Sequence, residues 1–281
     1  MAAKLYEGFP SLYMQFSKKP EYVHVPDWYY NIEYLQEMKR GYAYKEDLFV
    51  PGYFELGMKE GETIIFSAST REAATATLKK KYISELSKRI PRTSFYHCLV
   101  NSAQQFIVRK DKKTEVIAGF PWFGTWGRDT FIALPGLTIA IRDPESFISV
   151  ADTMVKRLKH GLFPNMGTDD DPAFNSVDAP LWFIWALQQF HNYDPEYDLW
   201  KRYGKHIKHI LEHFRAGTLF NIDLQENGLI HAGEEFKALT WMDAVVYDTP
   251  VTQRDGNPVE ISALWYNGIR FALELAEKAG E

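Results

Sequence analysis

Two hydrophobic periodicities divide the chain, and the first is that of β-strands. Within residues 1–68, short apolar runs are interrupted by Gly and Pro, which is typical of strands joined by turns. Residues 54–58 and 63–67 flank a Gly-containing turn and predict a hairpin, and residues 22–25 and 28–34 predict further strands. Because this stretch is short for a sandwich, we interpret residues 1–68 as the β-rich end of an N-terminal domain.

Helical spacing begins at Ser69, where Ser69 and Glu72 stand three positions apart as in a capping box. The pattern predicts a linker helix within residues 69–92. Most of the remaining chain, residues 93–281, has helical periodicity. The predicted helices cover residues 94–109, 128–141, 145–158, 177–191, 197–215 and 258–279. A proline inside the second of these helices, Pro135, should shorten or kink it.

The connections between the helices differ in length, and this difference indicates the architecture. Residues 142–144 and 192–196 are short joints, whereas long segments lead into the helices at 128, 177 and 258. If helices alternate up and down, the long segments all emerge at one end and form a rim. We therefore predict a mainly α fold: residues 93–281 form a partial (α/α)6 toroid, about half of a complete ring, preceded by the β-rich end of an N-terminal domain.

Charge and cysteine content exclude several classes of protein. The formal net charge is −5 and the basic residues form no stripe interleaved with aromatics, so nucleic acid is not an expected partner. No apolar run approaches the roughly 18 residues of a membrane span, and the N-terminus lacks the apolar stretch of a signal peptide. The single cysteine, Cys98, rules out an internal disulfide and fits a reducing compartment. These features predict a cytoplasmic protein that contacts neither nucleic acid nor a membrane.

The first long segment, residues 119–130, crowds aromatic residues around glycines just before a helix. Trp122 and Trp126 precede Arg128 and Asp129, which stand at the predicted helix start. One interpretation is structural, because acidic residues are common at helix starts and the pair would be an ion-paired cap. The other is functional, because a guanidinium and a carboxylate hydrogen-bond sugar hydroxyls while indoles pack on sugar rings. The residues alone leave both interpretations open.

Residues 118–137, AGFPWFGTWGRDTFIALPGL, closely resemble the signature of the C-terminal α-1,6-glucosidase domain of glycogen debranching enzymes. Residues 40–52 also resemble the end of that family's N-terminal domain. The resemblance continues through residues 164–165, 175–183, 239–244 and 258–267, so it spans nearly the whole chain. A related element of glucoamylase-type toroids binds the nonreducing glucose in the −1 subsite. The resemblance therefore implies that Trp126, Arg128 and Asp129 hold that glucose.

The second long segment contains three consecutive aspartates, residues 169–171, and then Asp178. The run lacks the alternating oxygens and the glycine of an EF-hand loop, so we predict a solvated loop and no metal site. Asp178 opens a helix that is apolar nearly all round and suits an inner ring. It is either an N-terminal charge of that helix or, by the resemblance, a residue that faces the sugar. The chemistry implied by the resemblance requires no cofactor.

The third long segment holds the best catalytic candidate, Asp243, two residues after Trp241. Inverting glycoside hydrolysis needs an acid and a base carboxyl group about 6.5–9.5 Å apart. The acid must stay protonated near neutral pH, and an apolar wall such as an indole raises the pKa of a carboxyl group. The residues alone also allow Asp243 to cap a loop, whereas the resemblance implies that it is the general acid, with Trp241 at the substrate. Glu260, near the start of the last helix, is a cap or a substrate ligand.

In the resembled family the general base is a glutamate further downstream, and this sequence contains no match to that region. We therefore interpret the chain as part of a glycogen debranching enzyme, a glycoside hydrolase that removes α-1,6-linked glucose at branch points with inversion. Its expected partners are α-glucans: glycogen, limit dextrin and maltooligosaccharides. We expect residues 1–281 alone to be inactive. We also expect residues 181–187 to be exposed, which would favour a homodimer.

Three other functions remain open from the sequence. An α-1,4-acting, glucoamylase-like hydrolase would share the −1 subsite motif, because that motif does not report the linkage. A non-catalytic glucan-binding module would keep the aromatic cleft but lack a catalytic pair of carboxylates. A helical interaction protein would place the Trp-rich segments in its core.

Overall fold

The computed structural model of the protein describes residues 1–4, 6–119, 123–167 and 170–281. Within these residues the chain divides into two compact units, Met1–Ile90 and Pro91–Glu281, and each is described by itself. Among the described helices, none combines the length and the apolar character that crossing a membrane requires.

Short antiparallel strand pairings make up the first unit. Strand β2 lies between β1 and β7, β3 pairs with β6, and β4 pairs with β5. Two short helices, α1 (Leu35–Lys39) and α2 (Leu78–Ser87), accompany the strands. The strands are β1 (Ala2–Ala3), β2 (Leu12–Phe16), β3 (Glu21–Val23), β4 (Asp27–Glu33), β5 (Lys45–Val50), β6 (Tyr53–Glu55) and β7 (Phe66–Ser69).

The predicted hairpin between residues 54–58 and 63–67 is wrong, although strands occur near both positions. Phe54 of β6 pairs with β3, whereas Phe66 of β7 pairs with Phe16 of β2. The Phe16 ring lies 4.9 Å from that of Phe54 and 4.7 Å from that of Phe66. Distant pairing therefore gathers aromatic side chains that a local hairpin would leave apart. Alternation along the sequence identifies a strand but not its partner.

The predicted helix start at Ser69 is also wrong. Ser69 ends strand β7, and its hydroxyl accepts a hydrogen bond from the backbone N–H of Arg71 at 3.1 Å. The backbone then makes a 3-10 turn, Thr75–Thr77, before α2 begins at Leu78. The serine was available for a cap, but its backbone is held in the sheet by pairing with Tyr13.

The second unit is mainly helical, and its helices follow the predicted ones. Its first helix ends four residues before the predicted position because a hairpin follows, β8 (Ile107–Lys110) and β9 (Lys113–Val116). Pro135 lies two residues before the end of the next helix and shortens it as predicted. The helices are α3 (Phe95–Gln105), α4 (Gly127–Leu137), α5 (Pro144–Val155), α6 (Ala179–Tyr193), α7 (Leu199–Ala216) and α8 (Val259–Ala279).

The long connections contain small hairpins that the sequence pattern did not predict, because two residues are too few to show alternation. In each hairpin two consecutive strands pair antiparallel. The strands are β10 (Met166–Gly167) with β11 (Pro172–Ala173), β12 (Asp223–Leu224) with β13 (Ile230–His231), and β14 (Val245–Val246) with β15 (Thr249–Pro250).

Helix α6 forms the centre of the second unit. It packs against α4, α7 and α8, and Leu181, Phe183 and Leu187 are at most 1% exposed. The Phe183 ring lies 5.2 Å from that of Phe131 in α4. The expectation that residues 181–187 are exposed is therefore wrong, because neighbouring helices of the same unit bury five of the seven, and Trp182 and Trp185 are half-buried. The reason given for a homodimer is thereby removed.

Candidate active site

The start of α4 is set close against a neighbouring backbone segment. The Gly127 N–H donates to the carbonyl oxygen of Asn165 at 3.0 Å. A Cβ atom at position 127 would lie 2.5 Å from the carbonyl oxygen of Pro164, a distance that real contacts do not reach. Glycine is therefore required for this approach, which carries the next residue, Arg128, into the interior, where it is 7% exposed.

The Arg128 guanidinium bridges two carboxylates from distant parts of the chain. Its Nε donates to Asp178 Oδ2 at 2.6 Å, and its Nη1 donates to Asp243 Oδ2 at 2.7 Å. Arg128 lies in the first turn of α4, Asp178 occupies the N-cap position of α6, and Asp243 lies in the segment that leads into α8. The three long segments singled out in the sequence therefore meet at these three side chains, here called the Arg128 cluster.

Asp178 is held on both carboxylate oxygens. It is 2% exposed, its Oδ2 accepts from Arg128, and its Oδ1 accepts from the Ser176 hydroxyl at 2.6 Å. The neighbouring Val177 N–H donates to the carbonyl oxygen of Leu239 at 3.0 Å. This bond ties the start of α6 to the segment that carries Asp243. Ser176 was not singled out in the sequence, and a buried serine two residues before an N-terminal aspartate gives little signal.

Arg128 supplies the positive charge of the Arg128 cluster. Burial alone would lower the pKa of Arg128, but hydrogen bonds and charge from Asp178, and then from Asp243, outweigh it and raise that pKa. Arg128 therefore stays a cation between the two side chains. The Nη2 atom of Arg128 is buried and has no hydrogen-bond partner among the described residues. It is a donor that a bound hydroxyl can satisfy.

Asp243 differs from Asp178 in its exposure and its partners. Its side chain is 31% exposed, and in the described residues its hydrogen bond is the one from Arg128 to Oδ2. The Oδ1 atom remains available to a substrate. Trp241 is 57% exposed and Asp243 contacts a guanidinium, so the surroundings of Asp243 are more polar than the expected apolar wall. The physical reason is that this segment lies at the surface of the unit.

Glu260 pairs with an arginine that sequence reasoning missed. Arg254 Nη2 donates to Glu260 Oε2 at 2.9 Å, a second bond joins Arg254 Nη1 to Oε1, and Nη1 also reaches the Thr240 hydroxyl at 3.2 Å. The hydrogen bond from Arg254 lowers the pKa of Glu260. Glu260 is thus ionised and holds Arg254, which in turn contacts Thr240, the residue just before Trp241. An isolated loop arginine carries no periodic signal that could have identified it.

Asp129 and Trp126 lie at the same end of α4 but outside the Arg128 cluster. Asp129 is exposed and lines a groove of about 280 Å³ with Phe106, Ile132 and Leu137. Successive residues of a helix point about 100° apart, so Arg128 and Asp129 cannot face the same neighbours. Trp126 is half-buried and occupies the N-cap position of α4.

Parts of two predicted features lie outside the described residues, namely Trp122 and Asp169. Asp170 and Asp171, which follow, are exposed. In the part of the chain that the structure describes, no group of three or more His, Cys, Asp or Glu side chains is arranged to hold a metal ion. Asn165 is a further residue that the sequence did not single out, and both polar atoms of its buried amide lack a hydrogen-bond partner in this part.

Two family models match the chain. One, described as amylo-alpha-1,6-glucosidase, matches residues 101–281, and the other, described as glycogen debranching enzyme N terminal, matches residues 1–65. The glycogen debranching enzyme of Saccharomyces cerevisiae is 25% identical over 268 residues, which cover 70% of this chain and 17% of that protein. The chain therefore spans less than a fifth of the length of this relative.

Proposed function

Because the chain belongs to the amylo-alpha-1,6-glucosidase family, whose model matches residues 101–281, we propose that it is part of a glycoside hydrolase that removes α-1,6-linked glucose from glycogen or limit dextrin. The observation that supports this proposal most is the Arg128 cluster. It joins a buried cation, a fully engaged carboxylate and a partly exposed carboxylate at the ends of three long segments.

In the proposed reaction Asp243 is the general acid. Arg128 holds Oδ2, which leaves Oδ1 to carry the proton and give it to the glycosidic oxygen as the bond breaks. A second carboxylate must activate water on the opposite face of the sugar, which inverts the anomeric carbon. In the described residues Asp178 is bound by Ser176 and Arg128, and Glu260 is bound by Arg254. Neither is free to serve as the base, so we assign the base to another carboxylate of the complete enzyme.

The terminal glucose is proposed to lie over Arg128. The unpartnered Nη2 donor would bind a sugar hydroxyl, and the indoles of Trp126 and Trp241 would pack against the ring. Asp178 and Glu260 would act as positioning residues, the first through Arg128 and the second through Arg254 and Thr240. Asp129, on the neighbouring groove, would contact the glucose only where the sugar extends past the cluster.

The architecture proposed for residues 93–281 is the first half of an (α/α)6 toroid. In it, α4, α6 and α8 would form part of the inner ring, and the segments that precede them would form one rim. The meeting of Arg128, Asp178 and Asp243 supports this arrangement, because each belongs to one of those segments. Residues 1–68 would be the end of an N-terminal domain and residues 69–92 a linker, a division supported by the separate family match at residues 1–65.

Glucose release from a limit dextrin by the complete enzyme tests the proposal. Asp243→Asn should lower kcat about 10²–10⁴-fold, the usual contribution of general acid catalysis. Asp111→Asn, the same chemical change in the exposed β8–β9 turn, is the matched control and should leave kcat unchanged. Nuclear magnetic resonance should detect the β anomer of glucose first, as inversion requires. A loss below about tenfold for Asp243→Asn would remove Asp243 from the acid role.

A further inference from the structure

The hairpin that follows Asp243 has an unusual tip. Strands β14 and β15 pair through Val246 and Thr249, so the loop consists of Tyr247 and Asp248 alone. Both loop residues have positive φ, 49° and 60°, as a type I′ turn requires. The hairpin is closed at its base by the N–H of Val251, which donates to the carbonyl oxygen of Ala244 at 2.9 Å. The tip is therefore tied directly to the segment that carries Asp243.

Tyrosine is a poor choice for this tip on structural grounds. Type I′ turns favour Asn and Gly, because a bulky side chain is strained at positive φ. Burial of the ring could offset that strain, yet Tyr247 is 97% exposed. Neither backbone geometry nor packing explains an aromatic residue here. A residue whose unfavourable backbone conformation is not offset by burial of its side chain indicates a binding role.

The Arg128 cluster indicates which part of a substrate would reach this tip. On one side of Asp243, Arg128 and Asp178 are buried, at 7% and 2% exposure. On the other side the chain is exposed at Trp241 and Tyr247. A polysaccharide cleaved at Asp243 must therefore extend along the exposed side. Tyr247 is four residues from Asp243, so the Cα atoms of the two residues lie within about 14 Å of each other.

We propose that Tyr247 is a specificity-determining residue that stacks on a sugar of the leaving α-glucan chain, beyond the bond cleaved. This inference rests on the proposed role of Asp243 as the acid at that bond. The axial hydrogens of a glucose unit give it an apolar face that packs on an aromatic ring, and the exposed ring at the hairpin tip offers such a surface on both sides. The contact selects for chain length and leaves binding of the terminal glucose unchanged.

Titration calorimetry with two probes tests this assignment, using the complete enzyme and residues 1–281 in parallel. Maltoheptaose reports on the chain, and 1-deoxynojirimycin reports on the terminal-sugar pocket. Tyr247→Asn suits the positive φ of the turn, so it removes the ring without straining the hairpin. It should weaken maltoheptaose binding by about 3- to 10-fold, the range of an aromatic stacking contact. Binding of 1-deoxynojirimycin should not change.

Two further variants serve as controls. Tyr247→Phe keeps the ring and should bind both probes like the wild type. Tyr266→Gln removes a comparably exposed tyrosine from α8 and should also bind both normally. If Tyr247→Asn binds maltoheptaose as tightly as the wild type, or weakens both probes equally, Tyr247 is not a chain contact and the inference is overturned. If the wild type binds neither probe, the proposed function fails and the inference fails with it.

Discussion

Removing the buried cation of the Arg128 cluster should destabilise the protein more than removing an exposed ion pair does. In Arg128→Met, Asp178 would remain almost fully buried without a positive partner. Breaking one partner of such a pair typically costs about 3–5 kcal/mol of unfolding free energy. We expect a loss of that size in urea denaturation followed by circular dichroism.

The matched control is Lys208→Met, which removes the exposed ion pair between Lys208 and Glu281 in the same unit. Solvent screens such a pair, so the expected loss is below about 1 kcal/mol. Equal losses for the two variants would mean that Arg128 is solvated in solution and that the cluster is not closed.

The identities of the residues in this cluster could be predicted from sequence, but their pairing could not. Arg128 and Asp178 stood out because each follows a long segment at a helix start, whereas Asp243 stood out beside Trp241 in the segment that leads into α8. Both interpretations of the sequence grouped Asp129 with Arg128, whereas the helix turns Asp129 toward the groove beside Phe106. Which of two adjacent residues faces inward depends on how α4 packs against α6.

At the scale of elements, helix α4 offers two Gly→Ala substitutions that should change stability in opposite directions. Gly127→Ala would place a methyl group 2.5 Å from the Pro164 carbonyl oxygen, and such overpacking typically costs about 1–3 kcal/mol. Gly136→Ala lies in the same helix with open space around its Cβ position. It should stabilise by about 0.5–1 kcal/mol, because alanine loses less backbone entropy. Thermal melts should show a lower Tm than the wild type for Gly127→Ala and a higher Tm for Gly136→Ala.

Helix α7 should make stability depend on pH through His209. Burial, and then the charge of His213, lowers the pKa of His209, and burial likewise lowers that of His206. The unfolded chain titrates near the ordinary pKa of about 6.5, so below that pH it binds protons that the folded state resists. Above about pH 6.5 these histidines therefore do not reduce the unfolding free energy. Below that pH the unfolding free energy falls as the pH drops toward the lowered pKa.

His209→Gln tests this pH dependence. The Gly161 N–H points at His209 Nε2 at 3.3 Å, and a glutamine oxygen can accept the same bond without titrating. Urea midpoints measured from pH 7.5 to 5.5 should decline less steeply for the variant than for the wild type. Parallel declines would show that His209 does not carry the effect.

Helices were predictable because their periodicity extends over ten or more residues, while the strands depended on contacts that no local pattern records. The last five helices, from α4 to α8, begin within two residues of the predicted positions. By contrast, Phe54 and Phe66 were correctly assigned to strands, yet their partners, Tyr22 and Phe16, lie 32 and 50 residues earlier in the chain. Strand pairing is decided by tertiary packing.

For the whole molecule, we expect residues 1–281 to release no glucose from a limit dextrin at an appreciable rate. Asp178 and Glu260 are both engaged in ion pairs, so neither is free to activate water, and general base assistance is typically worth about 10²–10⁴-fold. A glucose assay with Asp243→Asn as control decides this. Turnover that depends on Asp243 would place the base within these residues. Glu234 and Glu235, two exposed acids in the segment before Trp241, would be the first to replace.

The Arg128 bridge also imposes an order of events on the nascent chain. Asp178 follows Arg128 by 50 residues and Asp243 follows it by 115. At about 5–20 residues per second, a ribosome delivers Asp243 about 6–23 s after Arg128. During that interval the guanidinium has an incomplete set of partners, and burying it early would leave its charge poorly compensated. The cluster is therefore among the last parts of this unit to be completed during synthesis, and chaperones have seconds in which to engage the open start of α4.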